Sequence, residues 1–328
     1  NDTYTNTLIF IVAGATIFQS LDVIEFYYQA KVLSRYIVYA NVTSLFLSSV
    51  VKITLILYKA PLVAFAGALV FDSAVLALGF LYFYLKTKPG SNILHSDFFH
   101  WRFDKRVAIS LLKDSWPLIL SGMVVAVYMK IDQVMIKELM DTEAVGQYAA
   151  AVRISEAWYF IPAVISSSLF PAIINAKRQG EKHYYDLLQR LYDLMVWIAV
   201  AIALPMTLLA NWLVQVIYGG QYDQAGSVLM IHVWTNVFAF LGTAFGKFMV
   251  IENYTTKTLY RNLLGAITNI VLNYTLIPKY GINGAAVATL LGQFVANYAY
   301  DFFDRDLRPQ LVLKTKSFFP IHLLKGYH

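Results

Sequence analysis

Nine stretches of the chain, each about 20 residues or longer and mostly apolar, match the length a helix needs to cross roughly 30 Å of hydrocarbon. They run approximately Thr7–Ala30, Tyr36–Tyr58, Pro61–Leu85, Ser115–Leu139, Gln147–Asn175, Leu191–Tyr218, Val228–Ile251, Leu259–Ile277 and Asn283–Asp301. No water-soluble core absorbs so much apolar sequence. The composition agrees, because 58% of the 328 residues are apolar and 14% charged, against about 45–50% and about 25% in soluble domains. The expected class is therefore an all-α integral membrane protein with about nine transmembrane helices. Cysteine is absent, which excludes disulfides, thiolate metal sites and a cysteine nucleophile.

The connections between these stretches share the 26 lysines and arginines unevenly. Nineteen fall in one set of alternate connections: Lys31 and Arg35, then Lys86 to Lys113, Lys177 to Arg190, Lys257 with Arg261, and Arg305 to Lys325. Only Lys59, Lys137 and Lys279 fall in the other set. Cytoplasmic loops are enriched in basic residues, so the first set and the C-terminus are expected in the cytoplasm and residue 1 outside. The net charge of +6 then follows the membrane rule and gives no reason to expect nucleic acid.

The chain opens Asn1-Asp2-Thr3, with no charged and cleavable leader, and an odd number of spans starting outside suggests preceding helices. A weak internal repeat points the same way. Lys59-Ala-Pro-Leu-Val-Ala-Phe-Ala66 resembles Lys279-Tyr-Gly-Ile-Asn-Gly-Ala-Ala286 at an offset of 220 residues, and Tyr39-Ala-Asn41 matches Tyr260-Arg-Asn262 at an offset of 221. That spacing covers six helices, and transporters are often built from such repeated bundles. A two-lobe transporter is expected, its N-terminal lobe lacking about three helices upstream of residue 1. The expected divisions are 1–86 for the C-terminal half of the N-lobe, 87–114 for a cytoplasmic connection, 115–304 for a six-helix C-lobe and 305–328 for a basic cytoplasmic tail.

Several runs carry a family resemblance: Leu112-Lys-Asp-Ser-Trp-Pro117, Ile131-Asp132-Gln-Val-Met-Ile136, Val145-Gly146-Gln-Tyr148 through Arg153-Ile-Ser-Glu156, and Ser168-Leu-Phe-Pro171. Ile217-Tyr-Gly-Gly-Gln-Tyr-Asp-Gln-Ala225 and Pro278-Lys-Tyr-Gly-Ile-Asn-Gly-Ala-Ala286 belong with them, as does Leu21-Asp-Val-Ile-Glu25 upstream. In their order and spacing they resemble the oligosaccharide flippases of bacterial polysaccharide biosynthesis, the Wzx or O-antigen transporter type, in the superfamily of the multidrug and toxin extrusion (MATE) transporters. The resemblance implies a multi-pass protein of the bacterial inner membrane that moves an undecaprenyl-pyrophosphate-linked oligosaccharide between leaflets by alternating access. It implies no cofactor. A coupling ion, the surrounding membrane lipids and a polysaccharide polymerase are the further candidate partners.

Ionisable residues at membrane depth are costly and usually face an interior or a water-filled cavity. Lys52, Lys130, Arg153 and Lys247 are the cations left over from the connections, and Asp132 and Glu156 are acids at comparable depth. These six are the candidate cavity charges, because fixed cations compensate a pyrophosphate and arginine binds two of its oxygens together. Competing readings stand beside this one. Arg153 and Glu156 are three residues apart and share a helix face, so they form either a neutralised pair or two separate charges. Lys130 and Asp132, two apart, face different ways, which leaves Asp132 to meet a cation such as Arg153 from another helix. Lys52 lies near a helix end, where lysine can snorkel.

Carboxylates at such depth also suit a MATE-like exporter of organic cations driven by sodium or protons, the alternative function. A membrane glycosyltransferase is a weaker alternative, resting only on Asp304-Arg-Asp306. His95 and His100 lack the further ligands of a zinc site, and the connection containing them, like the tail after Arg305, is expected to lie on the membrane surface.

Overall fold

The computed structural model describes residues 3–31, 33–87 and 104–319, all of it helices and short connections. It divides into two compact units, 1–103 and 104–328. In the first unit α1 (Thr3–Gln19) continues through a 3-10 turn into α2 (Val23–Ala30), followed by α3 (Ser34–Leu57) and α4 (Leu62–Thr87). Its buried core is small: Ile24, Tyr28, Ala40 and Phe80, ringed by Tyr27, Tyr36, Phe83 and Tyr84. The Tyr28 hydroxyl meets Thr87 Oγ1 at 2.9 Å and ties the end of α4 to α2. Most other large apolar side chains in this unit are exposed, as a membrane-facing surface requires.

The second unit contains α5 (Lys105–Leu139), α6 (Thr142–Glu156), α7 (Phe160–Gln179), α8 (Glu181–Tyr218), α9 (Ala225–His232), α10 (Thr235–Ile251), α11 (Thr255–Phe294), α12 (Tyr300–Phe303) and α13 (Arg308–Ser317). Asp104 caps α5, accepting from the Arg106 amide at 2.8 Å, and Asp141 caps α6 through the Ala144 amide at 2.8 Å. Such caps satisfy amides that a helix start leaves without partners. Two apolar cores hold the unit. One gathers Ile136, Tyr148, Met206, Leu229 and Ile282; the other gathers Ile173, Leu188, Tyr192, Met195, Phe240 and Phe245.

Seven segments among the described residues are long and apolar enough to cross a membrane, and α6–α7 and α9–α10 each count as one of them. The two remaining expected spans are the arms of α11, 255–280 and 282–294. They fail on hydropathy because their buried faces carry Arg261, Asn262, Asn269, Asn273 and Gln293. Gly281 divides the arms at φ 58° and ψ −143°, a conformation open to glycine and strained for other residues.

The arms then cross at Gly265 and Gly292, where a Cβ on Gly265 would stand 2.6 Å from Ala296 Cβ. Gly265→Leu is therefore expected to force the crossing apart and destabilise the unit by about 1–3 kcal/mol. A lowered midpoint of thermal unfolding in detergent would show it.

α5 begins at Lys105, inside the expected connection 87–114, because Asp104 supplies a cap, and its membrane-length apolar stretch runs Ser115–Leu139. His95, His100 and Trp101 lie outside the described residues. The expectation for the tail needs correction. The stretch from Arg305, expected as a surface tail, instead carries α13, which packs on α8 and buries Leu307, Gln310, Lys314 and Ser317. Residues 320–328 are outside the described set.

Candidate functional site

Helix α5 is apolar on the turns around Asp132, and that carboxylate is only 3% exposed. Burying a charge without partners is prohibitive, and three helices supply them. The Tyr148 hydroxyl on α6 donates to Oδ2 at 2.8 Å. From α11, Thr289 donates to the same oxygen at 2.5 Å, and the Asn273 amide donates to Oδ1 at 2.6 Å. Asn269 stands one turn from Asn273 and accepts from its amide at 3.1 Å. The Asn273 Oδ1 is buried with no partner. A carboxylate, two hydroxyls and two amide oxygens within one cluster form a hard-oxygen donor set, suited to a proton or a small alkali cation rather than a soft metal.

Beside Asp132 lies a cavity of about 10 Å³, lined by Tyr128, Tyr148, Glu156, His232, Thr289 and Gln293 among others. That is the room of about one water molecule. From its wall a hydrogen-bonded track leads through the unit. Gln293 donates to the Tyr128 hydroxyl at 2.8 Å, Asn297 donates to Gln293 at 2.7 Å, and Arg261 donates to Asn297 at 2.8 Å. At its far end Lys314, fully buried, meets the equally buried Asp301 at 2.6 Å.

The six expected site residues do not converge on one place. Lys130, Asp132 and Glu156 are electrostatic neighbours: Glu156 lines the Asp132 cavity and feels both of the other charges. Lys130 is exposed while Asp132 is buried, so the two do face different ways. Arg153 is exposed, and no carboxylate among the described residues forms an ion pair with it. It therefore pairs with neither Glu156 nor Asp132, because Asp132 is already satisfied by hydroxyls and amides. Lys247 is half-buried, with its Nζ 5.0 Å from the centre of the Phe170 ring. In the first unit Lys52 bonds Asp72 at 3.4 Å instead of only snorkelling, and Ser44 donates to the same carboxylate at 3.1 Å.

Arg261 and Lys314, sorted by sequence into the loops and the tail, are interior cations, 5% and 0% exposed. Tyr148, Asn269, Asn273 and Thr289 were also missed. The spacing of Asn262, Asn269 and Asn273, seven and then four residues, was the available signal, since it sets all three on one helix face.

Comparison with known proteins places this geometry. The family of polysaccharide biosynthesis proteins matches residues 2–227. A Haloferax volcanii protein named "Probable flippase AglR" is 28% identical over 50% of this chain and 35% of its own length. A second protein of that organism, "Probable low-salt glycan biosynthesis flippase Agl15", is 20% identical over the same shares. The matched part thus spans about a third of each relative's length. Among solved structures, a MATE protein in complex with MaL6 superposes with a TM-score of 0.65 at 14% identity, covering 95% of this chain and 77% of that one. The lipid II flippase MurJ in an inward closed conformation gives 0.53 at 16% identity, covering 98% of this chain and 66% of that one. These likenesses show a transporter fold of the MATE and MurJ kind. With that fold and a family match over well over half of its residues, the chain belongs to the polysaccharide biosynthesis protein family of multi-pass membrane proteins.

Proposed function

We propose that this protein is a flippase carrying an undecaprenyl-pyrophosphate-linked oligosaccharide from the cytoplasmic to the outer leaflet of a bacterial inner membrane. The observation that supports it most is the family match over residues 2–227; the names of the aligned relatives point the same way. The basic bias of one set of connections supports a cytoplasmic C-terminus.

Within this reading Asp132 is the coupling group. Its carboxylate, Tyr148, Asn269, Asn273 and Thr289 would hold a proton or a sodium ion, with the unpartnered Asn273 oxygen free to turn inward. Such a cation neutralises a charge that the low-dielectric interior otherwise disfavours. Loading and release then shift the balance between two states of the lobe. Glu156 lines the small cavity, Lys130 acts on it electrostatically, and in this reading Lys130 compensates substrate phosphate. A polysaccharide polymerase is the downstream partner assigned here.

In cells lacking their own flippase, the intact protein is expected to restore surface polysaccharide. Lys130→Ala should lower that export by about tenfold, an effect of ~1.4 kcal/mol, at unchanged protein level. Lys247→Ala, against Phe170 and away from the cavity, should affect it far less. Drug resistance without polysaccharide export would replace this reading with cation efflux.

A further inference from the structure

Arg153 lines a second cavity. In the second unit a cavity of about 360 Å³ opens between α6 and α8, lined by Arg153, Trp158, Met206, Leu213, Ile217 and Tyr218 among others. All of these are apolar or aromatic except the arginine, which is exposed and has no ion-pair partner among the described residues. A lone guanidinium at membrane depth calls for an anion, and none of the described residues supplies one in an ion pair.

The register of the two helices fixes where that anion would lie. At one end Gln147 of α6 donates to the carbonyl of Gln221, just past the end of α8, at 2.8 Å, and its own oxygen accepts from the Ala225 amide at 3.2 Å. At the other end the Trp158 ring N–H reaches Met206 Sδ at 3.0 Å. Arg153 stands between these two fixed points, about 9 Å along the axis from Gln147 and about 8 Å from Trp158, at about 1.5 Å per residue in the α-helix and about 2 Å in the 3-10 turn. The helix end near Gln147 bears Tyr218 and Tyr222, packed at 5.2 Å, and tyrosines favour the headgroup level. Side chains on a helix lean toward its N-terminus, so Arg153 reaches toward that level while the apolar walls continue deeper. The groove thus matches one amphiphile: an anionic head near the interface and a hydrocarbon chain below it.

We propose that this groove binds a membrane phospholipid, with its phosphate on the Arg153 guanidinium and one chain running along Leu213, Ile217 and Met206 to Trp158. Guanidinium pairs with phosphate through two parallel hydrogen bonds, and the apolar lining excludes a soluble anion. The site is independent of the transported substrate.

Trp158 reports on occupancy. Intact protein in detergent, titrated with phosphatidylglycerol brominated on its acyl chains, should lose the part of its tryptophan emission that Trp158→Phe lacks. In Arg153→Ala the same quenching should need about tenfold more lipid, the equivalent of ~1.4 kcal/mol, and Arg153→Lys should fall between. Because Arg153 is exposed and makes no ion pair among the described residues, its removal is expected to leave the fold intact, which an unchanged thermal midpoint checks. Equal quenching in wild type and Arg153→Ala, or no component dependent on Trp158, overturns the site. Displacement of the brominated lipid by stoichiometric polyprenyl phosphate overturns the phospholipid assignment, whereas failure of the wild-type protein to restore polysaccharide export, with its Trp158 quenching present, removes the flippase reading and leaves this site standing.

Discussion

Replacing Asp132 with asparagine is expected to abolish polysaccharide export while leaving the helix bundle folded. The substitution keeps the shape of the side chain and removes its charge. Tyr148 and Thr289 can still donate to the amide oxygen, and the buried Asn273 Oδ1, which has no partner, can turn to accept from the new amide nitrogen. Without the charge the cluster no longer gains or loses a cation, so whatever gradient drives the cycle loses its grip on the lobe.

Asp132→Ala separates the two roles. It strands the donors from Tyr148, Asn273 and Thr289 in a site that is 3% exposed at Asp132. Each unsatisfied buried group costs about 1–3 kcal/mol, so this variant should lose stability as well as export. Thermal unfolding in detergent measures the first effect, and surface polysaccharide in flippase-deficient cells the second. Normal export by the asparagine variant at normal protein level would remove Asp132 from the coupling step.

How much of this was legible in the sequence depends on what hydropathy can see. Long apolar runs gave the spans, because length and mean polarity decide whether a segment enters the bilayer, and α3, observed at Ser34–Leu57, lies close to the expected Tyr36–Tyr58. Mean polarity says nothing about faces. The two arms of α11 carry a polar stripe, Asn262, Asn269, Asn273 and then Gln293, that faces α5 and the cavity and lowers the average of an otherwise apolar helix. Asp132 stood out because a carboxylate deep in a span is conspicuous; its partner Tyr148 is indistinguishable from an interfacial tyrosine until the fold brings the two together.

Arg261 and Lys314 show the converse failure. Both were sorted by position along the chain, near helix ends where lysine and arginine normally reach water. Tertiary packing overrode that rule. α13 turns back on α8, the Tyr192 hydroxyl bonds Gln310 at 2.8 Å, and Gln189 donates to the Leu313 carbonyl at 3.0 Å. No local pattern near Lys314 announces that its partner, Asp301, lies across a turn on the preceding helix.

That partner sets up the largest stability effect expected here. Lys314 and Asp301 are both fully buried and 2.6 Å apart, and Lys314 also donates to the Asn297 carbonyl at 2.8 Å. Arg261 acts electrostatically on the same carboxylate. Below about pH 7, where Lys314 keeps its proton, the cluster holds two cations for one anion, and the two partners are not equivalent. Asp301→Ala leaves Lys314 and Arg261 buried together with no counter-charge and should destabilise the unit by about 3–5 kcal/mol, the usual result of breaking a buried pair. Lys314→Met leaves Asp301 facing Arg261 and should cost less. Combining Asp301→Asn with Lys314→Met should recover part of the loss, because contacting sites are not additive.

The pH dependence has a definite sign. Burial pushes the Lys314 ammonium from 10.5 down to about 7, so above about pH 7 the folded protein sheds a proton that the unfolded chain keeps up to about 10.5. The unfolded state then binds more protons, and stability rises with pH through this window. The rise should be present in the wild type and missing from Lys314→Met. Thermal midpoints across that range, with protease cleavage after Phe303 as the measure of α13 undocking, test both the order of the variants and the slope. Equal losses for Asp301→Ala and Lys314→Met would mean that Arg261 does not share the carboxylate.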